Sequence, residues 1–168
     1  MKFVLMCIMV AILSGLSFAQ DNSIEKEFLQ NKAKLKLERY SIGEDASSGS
    51  DYLVYKDKTG IVKIRDIWSS TANDTPRVHD FYYRDGKLIL FVAFSPDKKQ
   101  VKNLIKGKDL TLNTVEKLSL TDSKLTDWIE NGKAVSNDDA RWHEKEKEVL
   151  EAAKYQLENY QENKKSDK

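Results

Sequence analysis

The segment from Lys87 to Phe94 places the strongest constraint on what this chain can fold into. After Lys87 it reads Leu-Ile-Leu-Phe-Val-Ala-Phe without a polar residue, and the pair Asp85-Gly86 separates it from a strand-like stretch at 78–84. An Asp-Gly pair favours the two-residue type I′ turn of a β-hairpin, because both turn positions require a positive φ angle. A strand without a polar face must be covered on both sides. We therefore predict that 87–94 is a central strand of a sheet, with other parts of the chain packed on both faces.

The rest of the chain alternates between helical and strand-like periodicity. Apolar residues at helical spacing predict a first helix over 23–33, a short lysine-rich helix near 101–105 and a long C-terminal helix. Alternating residues predict further strands at 35–39, 52–54, 61–68, 78–84, 110–120 and 124–129. The alternative for the first of these strands is that the N-terminal helix continues to Tyr40.

This order of elements predicts an α+β fold. The spacing contains no β-α-β unit that would force a parallel sheet, so we expect an antiparallel sheet of hairpins with about six or seven strands. An N-terminal helix, a short connecting helix and a long C-terminal helix accompany it. Ser136 or Asn137 is expected to cap the last helix. The polar stretches 43–51 and 69–76 are expected to be loops, and residues 164–168 a frayed tail.

The first twenty residues have the pattern of an export signal. Lys2 supplies a positive charge, residues 3–13 are apolar, and Ser17-Phe18-Ala19 is a small-x-small cleavage site. An uncleaved anchor helix is the alternative, but the apolar stretch is short for a span of about 20 residues. We predict a signal peptide over 1–19 that is cleaved after Ala19, a single domain over 20–163, and a secreted or periplasmic location.

Composition excludes several classes of function. Cys7 is the only cysteine and lies inside the predicted signal, so the mature chain can form neither a disulfide nor a His/Cys zinc site. We predict no metal site and no cofactor. Lys plus Arg number 28 against 27 Asp plus Glu, and this balance argues against nucleic-acid binding. We expect no transmembrane segment after cleavage, because the remaining chain has no apolar stretch of sufficient length.

Two related stretches carry a resemblance to known proteins. Tyr83-Arg84-Asp85-Gly86-Lys87-Leu88 and Lys124-Leu125-x-x-Trp128-x-x-x-Gly132-Lys133 each place an apolar strand beside a Gly-Lys turn. Together with the leader and the charged C-terminal helix, they resemble a group of small secreted or periplasmic bacterial proteins without assigned activity, which carry Tyr-x-Asp-Gly-Lys-Leu hairpins. This chain has Asp122-Ser123 where the group more often has a Gly turn. The resemblance implies a fold and an exported location, and it brings no catalytic residues.

Few residues point to catalysis. His79 and His143 are the two histidines, and His79 cannot form a dyad with Asp80, because adjacent residues of a strand point to opposite faces. The sequence has no Gly-x-Ser-x-Gly elbow, no Gly-x-x-x-x-Gly-Lys loop and no Gly-x-Gly-x-x-Gly motif. A small hydrolase that uses carboxylates with His79 or His143 is therefore kept as the alternative function.

The first hypothesis is an exported, non-enzymatic protein that binds an envelope or extracellular protein or glycan. A lysine-rich segment could attract an anionic surface such as lipid head groups or polysaccharide, or it could be the solvated side of a short amphipathic helix. Aromatic residues could line a binding face or belong to the core. The lysines are Lys98, Lys99, Lys102, Lys106 and Lys108, and the aromatic residues are Trp68, Tyr82, Tyr83, Trp128 and Trp142. Asn73 begins an N-glycosylation sequon, which would matter in a eukaryotic secretory pathway.

Overall fold

The computed structural model describes residues 23–43, 48–70, 75–106 and 108–166. The predicted signal peptide, its cleavage site and Asn73 lie outside these residues. The chain divides into two compact units, Met1–Lys34 and Leu35–Lys168. In the first unit the structure describes a helix over residues 23–31, here called α1, and a 3-10 turn at Lys32–Lys34.

The second unit is built on an eight-stranded antiparallel sheet in which each strand pairs with the next one along the chain. This arrangement confirms the α+β class and the succession of hairpins. The strands are β1 (Lys36–Gly43), β2 (Ser48–Lys56), β3 (Ile61–Ser70), β4 (Arg77–Arg84), β5 (Lys87–Phe94), β6 (Thr114–Thr121), β7 (Lys124–Glu130) and β8 (Lys133–Ala134). The helices are α2 (Lys98–Ile105) and α3 (Trp142–Ser166).

The structure decides one alternative and differs from the sequence-based expectation at two places. The stretch Lys36–Gly43 is a strand, so the alternative in which the first helix continues to Tyr40 is wrong. β2 begins at Ser48, inside the stretch predicted as a loop, because Gly49 pairs with Gly43 on β1 and Ser48 pairs with Ser70 on β3. The predicted strand count of six or seven is also wrong. The eighth strand, Lys133–Ala134, has two residues, which is too short to show an alternating pattern.

Three hairpin turns have positive φ angles at both central residues. Asp85 and Gly86 have φ angles of 52° and 73°, and Asn131 and Gly132 have 50° and 75°, as expected for type I′ turns. The third turn is Asp122-Ser123, with φ angles of 49° and 62°. The β6–β7 hairpin therefore uses a two-residue turn like the other two hairpins, although neither of its turn residues is glycine.

Replacing Ser123 by glycine is expected to raise the free energy of unfolding by about 0.5–1 kcal/mol. Glycine adopts a positive φ angle without the steric cost that a β-carbon carries, and the exposed Ser123 side chain contributes little packing. Urea denaturation followed by circular dichroism measures the change. The matched control is Ser95→Gly at an exposed position outside the positive-φ region, where glycine is expected to lower stability. A loss of stability in Ser123→Gly would contradict the turn geometry.

α3 crosses the strands from β7 to β1. Near its start, the ring of Trp142 lies 6.1 Å from the ring of Trp128 on β7. Further along, the carbonyl of Ala153 accepts a hydrogen bond of 3.1 Å from the Tyr83 hydroxyl of β4. The 25 residues of α3 span about 37 Å, which is enough to cross seven strands spaced about 4.8 Å apart. We call the sheet face that α3 covers the helix face.

α3 begins later than predicted. It starts at Trp142, so the expectation that Ser136 or Asn137 caps it is wrong. The preceding residues form turns, in which the Asp139 carbonyl accepts from the Trp142 N–H at 2.9 Å and the Asp139 carboxylate accepts from the Arg141 N–H at 2.9 Å. Short polar side chains favour such local bonds over helix formation. At its other end α3 extends to Ser166.

β5 is covered on both faces and lies in the middle of the sheet, as predicted. On the helix face, Phe91 and Ala93 belong to the core that α3 covers. On the opposite face, Leu90 and Val92 are fully buried. α2 lies against β3 and buries Val101 and Leu104, so both layers contribute to the core. The buried residues of the helix-face core include Val54, Ile64, Phe81, Leu118, Leu120, Leu125, Trp128, Val149, Ala153 and Tyr160.

A buried ion cluster lies on the opposite face of β3 and β4. The Asp80 carboxylate is fully buried, with 2.6 Å from its Oδ2 to Lys63 Nζ and 2.6 Å from its Oδ1 to Arg65 Nε. Lys63 also donates a hydrogen bond of 2.9 Å to the Tyr82 hydroxyl. Burial by itself would raise the pKa of the Asp80 carboxyl, but Lys63 and Arg65 outweigh it and hold that pKa below its usual value. His79 lies on the helix face, so the prediction that His79 and Asp80 point apart is confirmed.

Candidate functional site

A cavity of about 270 Å³ opens on the helix face at one end of β2, β3 and β4. Three strands and α3 contribute to its walls, so residues distant in the sequence meet there. The lining residues are Ser50, Tyr52, Asp66, Trp68, Arg77, His79 and Tyr155. We call this the sheet-end cavity.

The strand register arranges six of these residues in two cross-strand rows. The outer row is Ser50, Trp68 and Arg77, and the inner row is Tyr52, Asp66 and His79. Directly paired residues have β-carbons about 4.5–5.5 Å apart, so each row holds three side chains next to one another. The next row into the sheet is Val54, Ile64 and Phe81, which belongs to the core. The cavity therefore occupies the point at which the helix face changes from apolar to polar.

Aromatic rings form part of the cavity wall. Trp68 is partly exposed, and the guanidinium of Arg77 lies 4.8 Å from the centre of its ring. Tyr155 of α3 is 57% exposed. Tyr52 is buried and stacks on Tyr40, with 4.6 Å between the ring centroids and 13° between the ring planes. An apolar surface of a ligand can thus pack against Trp68 or Tyr155, while Tyr52 is held by its neighbour.

Buried polar atoms adjoin this wall. Gln156 is 5% exposed, and its Nε2 donates a hydrogen bond of 3.2 Å to Asp66 Oδ2. Among the residues that the structure describes, no hydrogen-bond partner accompanies Gln156 Oε1, the Tyr40 hydroxyl or Asn159 Nδ2. Buried polar groups are normally hydrogen bonded. None of these three side chains lines the cavity, so the polar groups that face a ligand are those of the lining residues themselves.

The cavity combines opposite charges with a neutral imidazole. Burial, together with the positive charge of Arg77, lowers the pKa of His79, so its ring is neutral at pH 7 and offers one donor and one acceptor. The His79 ring packs against Phe91, with 5.4 Å between the ring centroids. Asp66 and Arg77 carry one formal charge of each sign. The lining therefore suits a neutral ligand that makes many hydrogen bonds.

The candidate site residues predicted from the sequence lie in different parts of the structure. Trp68 and His79 lie in the cavity, whereas Tyr83 and Trp128 are buried in the helix-face core at 4% and 0% exposure. His143 is exposed in the first turn of α3, about 18 Å along the helix axis from Tyr155. The exposed lysines Lys98, Lys99, Lys102, Lys106 and Lys108 lie on α2 or directly after it.

The sequence analysis missed five of the cavity residues: Ser50, Tyr52, Asp66, Arg77 and Tyr155. One of them left a visible trace. Asp66 is the charged member of a β3 face whose other members, Val62, Ile64 and Trp68, are apolar. A single charge within an apolar face indicates either a buried partner or a polar site, and here it marks the cavity.

The described residues contain neither a membrane-spanning helix nor a cluster of metal ligands. In this part of the chain no helix is both long enough and apolar enough to cross a bilayer. Nor does the same part contain a group of three or more His, Cys, Asp or Glu residues that could hold a metal ion. Comparison of the chain with protein-family models, curated proteins and solved structures finds no match.

Proposed function

We propose that this chain is an exported, non-enzymatic binding protein whose sheet-end cavity binds a sugar residue of an envelope or extracellular glycan. The observation that carries the proposal is the combination of accessible aromatic rings with charged and hydrogen-bonding side chains in one small cavity. A pyranose ring presents C–H groups, which pack on the electron-rich face of an aromatic ring, and a rim of hydroxyl groups. Trp68 and Tyr155 supply the rings, and Asp66, Arg77 and Ser50 supply polar groups for the rim.

The size and polarity of the cavity support a small ligand with many hydroxyl groups. Its volume of about 270 Å³ lies just below the range of about 300–1,000 Å³ for sites that hold drug-sized molecules, which favours a single sugar ring. Four of the lining residues, Ser50, Asp66, Arg77 and His79, carry hydrogen-bonding or charged groups, and burying such groups without a partner is costly. A ligand with hydroxyl groups can pair with them, so a sugar is favoured over an apolar ligand.

Trp68→Ala and Arg77→Ala are each expected to weaken saccharide binding about tenfold or more, because Trp and Arg side chains that contact a ligand in a pocket are typical hot spots. A glycan array screened with the purified protein identifies the saccharide, and calorimetric titration gives its dissociation constant for each variant. Arg39→Ala is the matched control, since Arg39 is exposed on β1 and does not line the cavity. Failure to retain any saccharide, or equal affinity of all three variants, would contradict the proposal.

A small hydrolase is the second candidate, because Asp66 and His79 are direct cross-strand neighbours within the cavity. A neutral imidazole beside a carboxylate is a pair that general acid–base catalysis can use. Ser50 is two strands away from His79 and in the outer row rather than the inner one, which separates the two residues by more than about 9–10 Å, so the Ser50 hydroxyl cannot act as a nucleophile that His79 activates directly. Water would have to be the attacking group in such a reaction.

Product formation separates the two candidates. The protein is incubated with bound saccharides and with a panel of ester, glycoside and peptide substrates, and the products are followed by mass spectrometry. The binding proposal expects the ligand to remain intact. Hydrolysis that His79→Gln abolishes, and that His143→Gln in the exposed first turn of α3 leaves unchanged, would establish the hydrolase and overturn the binding proposal.

A further inference from the structure

The short helix α2 presents a concentrated positive charge. Its lysines and the one that follows it form what we call the lysine patch, which consists of Lys98, Lys99, Lys102, Lys106 and Lys108. All five side chains are exposed, and within the described residues none of their ammonium groups forms an ion pair or hydrogen bond. Lysines on α3 differ, because Lys147 lies 3.8 Å from Glu151 and Lys154 lies 3.7 Å from Glu158. The patch is therefore a surface whose charge is not neutralised by its own helix.

Local contacts hold α2 in a fixed orientation. At its N-terminus Asp97 accepts a hydrogen bond of 2.7 Å from the Gln100 N–H, and the Gln100 side chain accepts one of 2.9 Å from the Asp97 N–H. Val101 and Leu104 are buried at 4% and 1% exposure. The lysines at 98, 102 and 106 follow at four-residue spacing along one side of the helix, about 6 Å apart along its axis. The apolar side is thus turned into the fold and the lysines are held in a row at the surface.

The charge of the chain is unevenly distributed. Residues 97–109 contain five lysines and two acidic residues, whereas the rest of the chain contains 23 basic and 25 acidic residues. The net charge of this protein is almost zero, so it contributes little free energy to binding an anionic surface. A local excess of this kind instead orients the molecule, so that the patch faces the anionic groups.

We propose that the lysine patch docks the protein on the surface of an anionic phospholipid bilayer, through contacts between its ammonium groups and lipid phosphates. A planar array of phosphates complements a row of exposed lysines, and the buried Val101 and Leu104 leave the contact electrostatic. Residues 97–109 contain no aromatic residue on which a sugar ring could stack, which favours lipid over polysaccharide at this surface. The inference is independent of the ligand of the sheet-end cavity.

Co-sedimentation with vesicles tests the proposal. Vesicles of phosphatidylcholine with about one third phosphatidylglycerol are expected to retain the protein at low ionic strength, and vesicles of phosphatidylcholine alone are expected not to. Near a bilayer each lysine contributes about fivefold to the partition coefficient. Binding should decline as salt is added and disappear at about 1 M, where the screening length falls to about 3 Å.

Variants assign the binding to α2. Replacing Lys98, Lys99, Lys102 and Lys106 together by Gln should lower the partition coefficient at least tenfold, whereas replacing them by Arg should preserve it. The matched control removes four exposed lysines outside the patch, with Lys133 of β8 and Lys147, Lys154 and Lys165 of α3 replaced by Gln, and should leave the partition coefficient unchanged. Circular dichroism verifies that each variant is folded. Equal binding to neutral vesicles, equal binding by the α2 Gln variant, or capture by dextran sulfate without any vesicle binding would overturn the proposal.

Discussion

Replacing Asp80 by alanine is expected to lower the free energy of unfolding by about 3–5 kcal/mol. The change removes the fully buried carboxylate that lies between Lys63 and Arg65. Lys63 is 3% exposed, so its charge would then be buried without the anion that compensates it. Removing one partner of a buried ion cluster is costly for this reason, whereas the intact cluster adds little net stability. Urea denaturation of the variant and of the parent protein measures the loss.

Two further variants show whether the loss arises from the buried charges. Asp138→Ala removes an exposed carboxylate and should change stability by less than about 0.5 kcal/mol. Replacing all three members of the cluster by apolar residues, with Lys63→Met, Arg65→Met and Asp80→Leu, should recover much of the stability that Asp80→Ala loses. A loss below about 1 kcal/mol for Asp80→Ala would show that the carboxylate is not buried between two cations.

Trp128→Ala is expected to cost about 3–5 kcal/mol, because it leaves a large cavity in a closely packed core. Trp128 is fully buried on β7, and its ring lies 6.1 Å from the ring of Trp142 at the start of α3. The guanidinium of Arg141 lies 4.8 Å from the centre of the Trp128 ring. Removing this ring should therefore loosen the start of α3 as well. Denaturation gives the free energy, and amide hydrogen exchange over residues 142–150 reports the local effect.

Two further variants test whether the loss in Trp128→Ala comes from the buried volume of its ring. Trp128→Phe should cost less than half as much, because within the described residues the indole N–H has no hydrogen-bond partner and its removal loses volume alone. Trp68→Ala makes the same chemical change at a partly exposed site and should cost about 1 kcal/mol. Equal losses for Trp68→Ala and Trp128→Ala would contradict the assignment of one ring to the cavity and the other to the core.

Most of the sheet could be predicted because a hairpin depends on residues that are adjacent in the sequence. The pair Asp85-Gly86 and the apolar run after it determine β4, β5 and the turn between them. The parts that were missed carry no pattern of their own. Gly49 becomes part of β2 by pairing with β1 and β3, and Ser48 by pairing with β3. β8 is defined by its pairing with Ile129 and Glu130.

The sheet-end cavity was harder to predict from the sequence, because its residues come together only through the register of three strands. Trp68 and Arg77 lie on either side of a loop, and their pairing depends on the length of that loop and on the residues further along both strands. Whether Tyr155 faces the cavity depends in addition on the rotation of α3 about its axis. The exposure of the lysine patch, in contrast, follows from the helical periodicity of residues 98–106, since Val101 and Leu104 define the buried side.

The course of α3 across the sheet has a consequence for the order of folding. Every strand pairs with its neighbour in the chain, so the ribbon can assemble from short loops, whereas the bonds of Tyr83 to Ala153 and of Asp66 to Gln156 close loops of 70 and 90 residues. Contacts of such long range form slowly because their loop entropy is large. If the sheet-end cavity binds a sugar as proposed, a chain whose strands have formed but whose α3 is still undocked should not bind that sugar, since Tyr155 of α3 is part of the cavity wall. Saturating sugar should then slow the release of α3, because it binds only the finished state.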